Sequence, residues 1–182
     1  MSGHNKWSQI VRQKGSADAK RSKLFSMYGR QLAVQAKLAS GDTNNPTLRA
    51  MIEKARRANM PNDTIERALK RASGGVEANL EEMLYEAFGP GGTAIVIQGI
   101  TDSKNRTSQE IKHLLAENGG ALGSPGSTAW AFVASRALSG EVVYKPINIL
   151  DISLAERGKL EKLVSILEEH ADIRSVISNA TQ

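Results

Sequence analysis

Apolar residues recur along this chain with two periods, and the change between them divides it in two. From residue 24 onward Leu24, Phe25, Tyr28, Leu32, Ala36 and Ala39 fall on one face at roughly 100° per residue, the spacing of a helix. Ser16 suits its N-cap and Gly41 lies just past its end, while the polar stretch 1–15 is expected to be mobile until bound. Asn45-Pro46 opens a second helix, with Asn as cap and Pro at the first helical position, where a missing N–H does no harm. Leu48, Met51, Ile52 and Ala55 give it an apolar stripe, and Pro61 stops it. Asp63-Thr64-Ile65-Glu66 has capping-box spacing for a third helix lined by Ile65, Ala68, Leu69 and Ala72 and ended by Gly74-Gly75.

Past residue 80 the period falls to two. Met83 to Phe88 alternates as a strand, Gly89-Pro90-Gly91-Gly92 turns the chain, and Thr93 to Ile100 reads as a buried strand. A helix to Asn118, a strand over 127–134, a bent strand over 141–152, a helix over 156–170 and a strand over 173–178 complete the pattern. The expected fold is α+β: a three-helix bundle over 1–75, then over 76–182 a ferredoxin-like split βαβ unit with Met83–Phe88 added at an edge.

Charge sharpens this division. The 182 residues carry a net charge of +5. Residues 1–75 hold 15 Lys/Arg against 5 Asp/Glu, whereas the remainder holds 9 against 14. The first part therefore reads as a polyanion-binding module and the second as something else. Lys23, Arg30 and Lys37 recur every seven positions opposite the apolar stripe, a row of cations about 10 Å apart at 1.5 Å rise per residue. Arg56, Arg57, Arg67, Lys70 and Arg71 lie outside the stripes of the second and third helices, and Lys14, Lys20 and Arg21 extend the basic surface. Ahead of them His4, Lys6 and Trp7 set a cation beside an indole that can stack on bases.

Chemistry of other kinds finds little support. There is no cysteine, so disulfides and thiolate metal sites are excluded. The histidines His4, His113 and His170 have no second ligand at metal spacing, and neither a Gly-x-Ser-x-Gly elbow nor a Walker loop occurs. The glycines of Gly89–Gly92 lack the Lys-Ser/Thr of a phosphate cradle and favour a hairpin. No catalytic set, metal or cofactor is expected, nor a small-molecule substrate. Without an apolar leader or span, the chain reads as cytoplasmic. The loop Thr101–Thr107 stays open between two readings. Lys104 and Arg106 at a helix N-terminus suit a phosphate, and Asn105 or Thr107 as a cap suits a plain strand-to-helix turn.

Several long stretches carry a resemblance: GHNKWSQI at 3–10, DAKRSKLFSMYGRQL at 18–32, ANMPNDTIERALKRASGG at 58–75, YEAFGPGG at 85–92 and TDSKNRTSQEIKHLLAENGGALGSPGSTAWAF at 101–132. With these the chain resembles the YebC/PmpR family, which includes the mitochondrial translational activator of cytochrome c oxidase. The resemblance implies a nucleic-acid-binding regulator of gene expression, a DNA-binding transcriptional regulator in one description. In the other it is a translation factor on the ribosome or messenger RNA. A protein-docking scaffold is a third reading. Family members also carry an acidic domain inserted after the strand corresponding to 129–133. Here only 134–140 occupies that place, so the chain resembles a short form.

Overall fold

The computed structural model describes the backbone of residues 4–73 and 80–181, with side chains for 18–71 and 80–181. Helix α1 runs from His4 to Leu38, so Ser16 lies inside it and the stretch from His4 is helical rather than a loose tail. No proline interrupts these residues, and one interior glycine such as Gly15 costs only about 1 kcal/mol, too little to end a helix this long. Gly41, at φ +79°, closes the helix by donating to the Ala36 carbonyl. Helix α2 spans Pro46–Arg57, and the Asn45 side chain accepts from the backbone N–H groups of Thr47 and Leu48 as a cap should. Helix α3 spans Asn62–Ser73. It starts one residue before the expected box, because the Pro61 carbonyl takes the N–H groups of Thr64 and Ile65 and Asp63 is already helical. The Gly74-Gly75 stop lies outside the described residues.

These three helices share a core of Leu32, Ala36, Leu48, Met51, Ala55, Met60, Ile65 and Ala68. Yet residues 31–36 of α1 are buried on every side, not on one face. The side opposite α2 and α3 is covered by the rest of the chain.

That remainder begins with β1 (Glu81–Phe88) and β2 (Ala94–Thr101), an antiparallel hairpin across the Pro90–Gly92 turn. Helix α4 (Lys104–Glu117) leads to the two-residue strand β3 (Ala121–Leu122). Strands β4 (Phe132–Arg136) and β5 (Val142–Pro146), helix α5 (Leu154–Glu169) and strand β6 (Ile173–Ser178) follow. The main sheet has order β3-β1-β2-β6 with each neighbouring pair antiparallel. Strands β2 and β3 are therefore parallel with β1 between them, which makes β2–α4–β3 a split βαβ unit. The α+β class and this unit agree with the sequence reading, but the strand roles differ. Met83–Phe88 sits inside the sheet rather than at its edge. Residues 127–131 are a turn and a short 3-10 segment, and β4 with β5 forms a separate two-stranded sheet.

Burial of the whole of β2 explains the architecture. Its Ile95 and Ile97 face α4 and α5 through Ile111, Leu115, Leu160, Leu163 and Leu167. Its alternate residues Ala94 and Val96 meet Phe132 of the β4–β5 hairpin and half-buried Tyr144. Period-two alternation thus places apolar residues on both faces of a three-layer unit. Glu86 fixes the loop leading to β4, its carboxylate accepting from Gly126 N–H and from the N–H and hydroxyl of Thr128. Burial works to raise its pKa, but those hydrogen bonds outweigh it and hold the group below its ordinary range.

At Gly99 the register of β2 against β6 shifts, and a Cβ there would lie 2.0 Å from the Asp172 carbonyl oxygen and 2.3 Å from Met83 Cε. Gly99→Ala is expected to cost about 2 kcal/mol by prising β6 from β2. Urea unfolding reads this directly, and an unchanged midpoint would mean that β6 yields freely.

Candidate nucleic-acid interface

The polar side of α1 docks onto the α/β unit through ion pairs. Arg30 donates from Nη1 to Asp172 Oδ1 at 2.5 Å and to the Ile100 carbonyl at 3.1 Å. Asp172, with 4 % of its side chain exposed, also accepts from Arg106 Nη2 at 2.7 Å and from the Thr107 hydroxyl at 2.8 Å. Burial pushes this carboxyl up, but Arg30, Thr107 and Arg106 more than reverse that and hold it at about 2. Glu141 makes a second contact, taking Gln31 Nε2 at 3.2 Å, Ser139 Oγ at 2.8 Å and Lys54 Nζ. Burial raises its pKa, and Lys54 and Ser139 lower it further than that, leaving it depressed. Glu141 sits at the end of the short β4–β5 turn, so that turn is tied to α1 and α2.

These contacts redistribute the cations expected to reach a polyanion. The projected row of Lys23, Arg30 and Lys37 does not stand outward as a row. Arg30 is turned into the Asp172 contact, and Lys23 and Lys20 line a cleft of about 1120 Å³ whose far wall includes Glu168 and Glu169. Burial pushes the Lys23 ammonium down, with the two glutamates opposing it. Lys37 is exposed near the end of α1, as are Arg21, Arg56, Arg57, Lys70 and Arg71, and Arg56 pairs with Glu53 at 2.9 Å.

Lys104 and Arg106 are both paired with acids of the fold. Helix α4 begins at Lys104 with Ser103 at the cap position, so neither Asn105 nor Thr107 is the cap. Lys104 Nζ lies 2.6 Å from Glu81, and Arg106 reaches both Asp172 and Asp102. Both cations therefore join acids within the fold. His4, Lys6, Trp7 and Lys14 have side chains outside the described residues.

Cations also line a concave site between α1 and α3. A cleft of about 360 Å³ opens there, with Phe25 and Gly29 on α1 and Arg67 and Arg71 on α3. Arg30 borders it too. Arg67 and Arg71 are four residues apart and so share one face of α3. Arg67 is held along its own helix by bonds to the Asp63 carbonyl at 3.1 Å and the Thr64 hydroxyl at 3.3 Å. Among the described residues no acid lines this cleft, unlike the larger one. A concave site walled by two guanidinium groups and half an aromatic ring is suited to phosphate and to a stacked base.

One cluster was not foreseen. Glu110, His170 and Asp172 bring ligand atoms within 4.8 Å of one another. His170 Nδ1 accepts the Asp172 N–H at 3.1 Å, so its proton sits on Nε2 and is donated to Glu110 at 2.9 Å. With both ring nitrogens engaged and Asp172 already between two arginines, the group is built as a hydrogen-bonded corner and is ill suited to a cation. Glu110 lies 60 residues from His170, so no spacing rule could find the pair. Among the described residues no helix is long and apolar enough to cross a membrane.

Known proteins resemble this chain over most of its length. Residues 5–75 match the TACO1/YebC protein N-terminal domain, and residues 80–138 match the TACO1/YebC second and third domain. A "Probable transcriptional regulatory protein" of Fervidobacterium nodosum is 36% identical over 235 residues, spanning 98% of this chain and 93% of the relative. One of the same name from Petrotoga mobilis is 50% identical over 187 residues, with 100% of this chain and 73% of the relative covered. A conserved hypothetical protein of Aquifex aeolicus has a similar crystal structure, with TM-score 0.81 and 28% identity over 90% of this chain and 91% of that one. The 235-residue alignment exceeds the 182 residues of this chain, so the Fervidobacterium protein carries residues without counterpart here. The second domain match ends at residue 138, between β4 and β5, where the resemblance places an inserted domain and a short turn stands instead.

Proposed function

This chain belongs to the TACO1/YebC family, and on that premise we propose that it is a non-enzymatic regulator of gene expression that binds nucleic acid through the α1–α3 face. The observation that carries this reading is the cleft lined by Arg67 and Arg71 in a module where 15 Lys/Arg oppose 5 Asp/Glu. The relatives' names support a transcriptional role, which makes DNA the first target to test.

A second reading, a translation factor on the ribosome or messenger RNA, is favoured by where the charges lie on α3. A helix that reads the DNA major groove presents its N-terminal residues to the bases. Asp63 and Glu66 precede the first arginine of α3, Arg67. Acids at the leading end repel a duplex, whereas a concave cleft beside them accepts an unpaired strand.

Sedimentation of the tagged chain from a gentle lysate separates the two. Co-migration with ribosomes supports the translation reading. Protein that stays at the top of the gradient, yet retards promoter DNA in preference to unrelated DNA at one stated salt concentration, supports the transcriptional one. Binding to neither nucleic acid would overturn both.

A further inference from the structure

We infer that the cleft between α1 and α3 is a pocket for one unpaired nucleotide of a single strand, its phosphate on the guanidinium groups of Arg67 and Arg71 and its base against Phe25. The inference rests on the nucleic-acid-binding reading and narrows it to single strands. Three observations carry it.

Size comes first. About 360 Å³ lies at the small end of the ~300–1,000 Å³ typical of pockets for single ligands, room for a base and its phosphate. A duplex instead requires a convex element that enters a groove about 12 Å wide. Chemistry comes second. The lining pairs two guanidinium groups, which can grip a phosphate in fork fashion, with a half-buried ring whose exposed part is a stacking surface.

The third observation is Gly29. It sits in the middle of α1, where glycine weakens a helix, and a Cβ there would meet nothing within 4 Å. Among the described residues no packing calls for a glycine at this position. Its bare backbone borders the cleft, where a side chain would occupy the volume a ligand needs. Gly158 in α5 is equally open, but it lines neither cleft.

This gives an unusual expectation: Gly29→Leu should strengthen the helix and weaken binding. The full chain would be titrated with a labelled single-stranded RNA of about 12 nucleotides and with the same sequence as a duplex. Gly29→Leu is expected to raise Tm by a few degrees and to lower single-strand affinity about tenfold, leaving duplex affinity unchanged. Arg67→Lys, which keeps the charge but loses the fork, should lower single-strand affinity severalfold without altering its salt dependence.

Full single-strand affinity in Gly29→Leu would overturn the pocket while leaving the nucleic-acid reading standing. Equal losses on duplex and single strand would overturn it as well. A wild-type chain that binds neither probe removes the reading beneath it. Tight binding of an acidic peptide in place of both nucleic acids would assign the cleft to a protein partner.

Discussion

Asp172→Asn is expected to destabilise the fold by about 3 kcal/mol, the cost of leaving the part-buried Arg30 guanidinium without its counter-charge. The change keeps the size of the side chain, so no cavity forms and the loss is electrostatic. Arg30 retains the Ile100 carbonyl and Arg106 retains Asp102, which keeps the figure at the low end for a broken buried pair. The wild-type carboxyl sits at about 2, below its ordinary 3.8, so its contribution is fully present above about pH 4 and is lost as pH falls through 2. That acid-sensitive part amounts to about 2 kcal/mol. Urea unfolding at pH 7 and again near pH 2 should therefore show a large gap between wild type and Asp172→Asn that narrows in acid. A gap of constant size would mean that the Arg30–Asp172–Arg106 contact does not join the helices to the α/β unit energetically.

The second large effect is on binding. Neutralising Arg67, Lys70 and Arg71 together to Gln should lower affinity for nucleic acid about 100-fold near 0.1 M salt, from the loss of three phosphate contacts. Stability should change little, since all three residues are exposed on α3 and such positions tolerate substitution within about half a kcal/mol each. The same experiment at Lys23, Arg30 and Lys37 would mislead. An altered Arg30 loses its hold on Asp172, and the result would report unfolding as lost affinity.

That contrast marks what local pattern can convey. The cap at Asn45, the stripes of α2 and α3 and the β1–β2 hairpin depend on neighbours a few residues away, and their sequence signals were sufficient. Arg30 did not fit this scheme. A cation at helical spacing opposite an apolar stripe reads the same whether water or a carboxylate faces it, and its partner is 142 residues distant. The strand roles were hidden for a similar reason. Alternation in 81–88 fits an edge strand or an interior one. The two-residue β3 that covers its outer side is too short to leave a period. On the site, Arg67 and Arg71 were visible as cations outside the apolar stripe. The cleft needs α1 laid against α3, and Gly29 gains its meaning only from the open space beside it.

The claim that the α1–α3 face holds phosphates is tested most directly by the salt dependence of binding. Log affinity against log salt would be measured for wild type and for the triple Gln variant on one single-stranded RNA. If the three side chains contact phosphates, the slope for the variant is shallower by about 2, near 0.7 per lost contact on a single strand. Parallel lines, with affinity unchanged, would contradict the account and move the interface elsewhere on the chain.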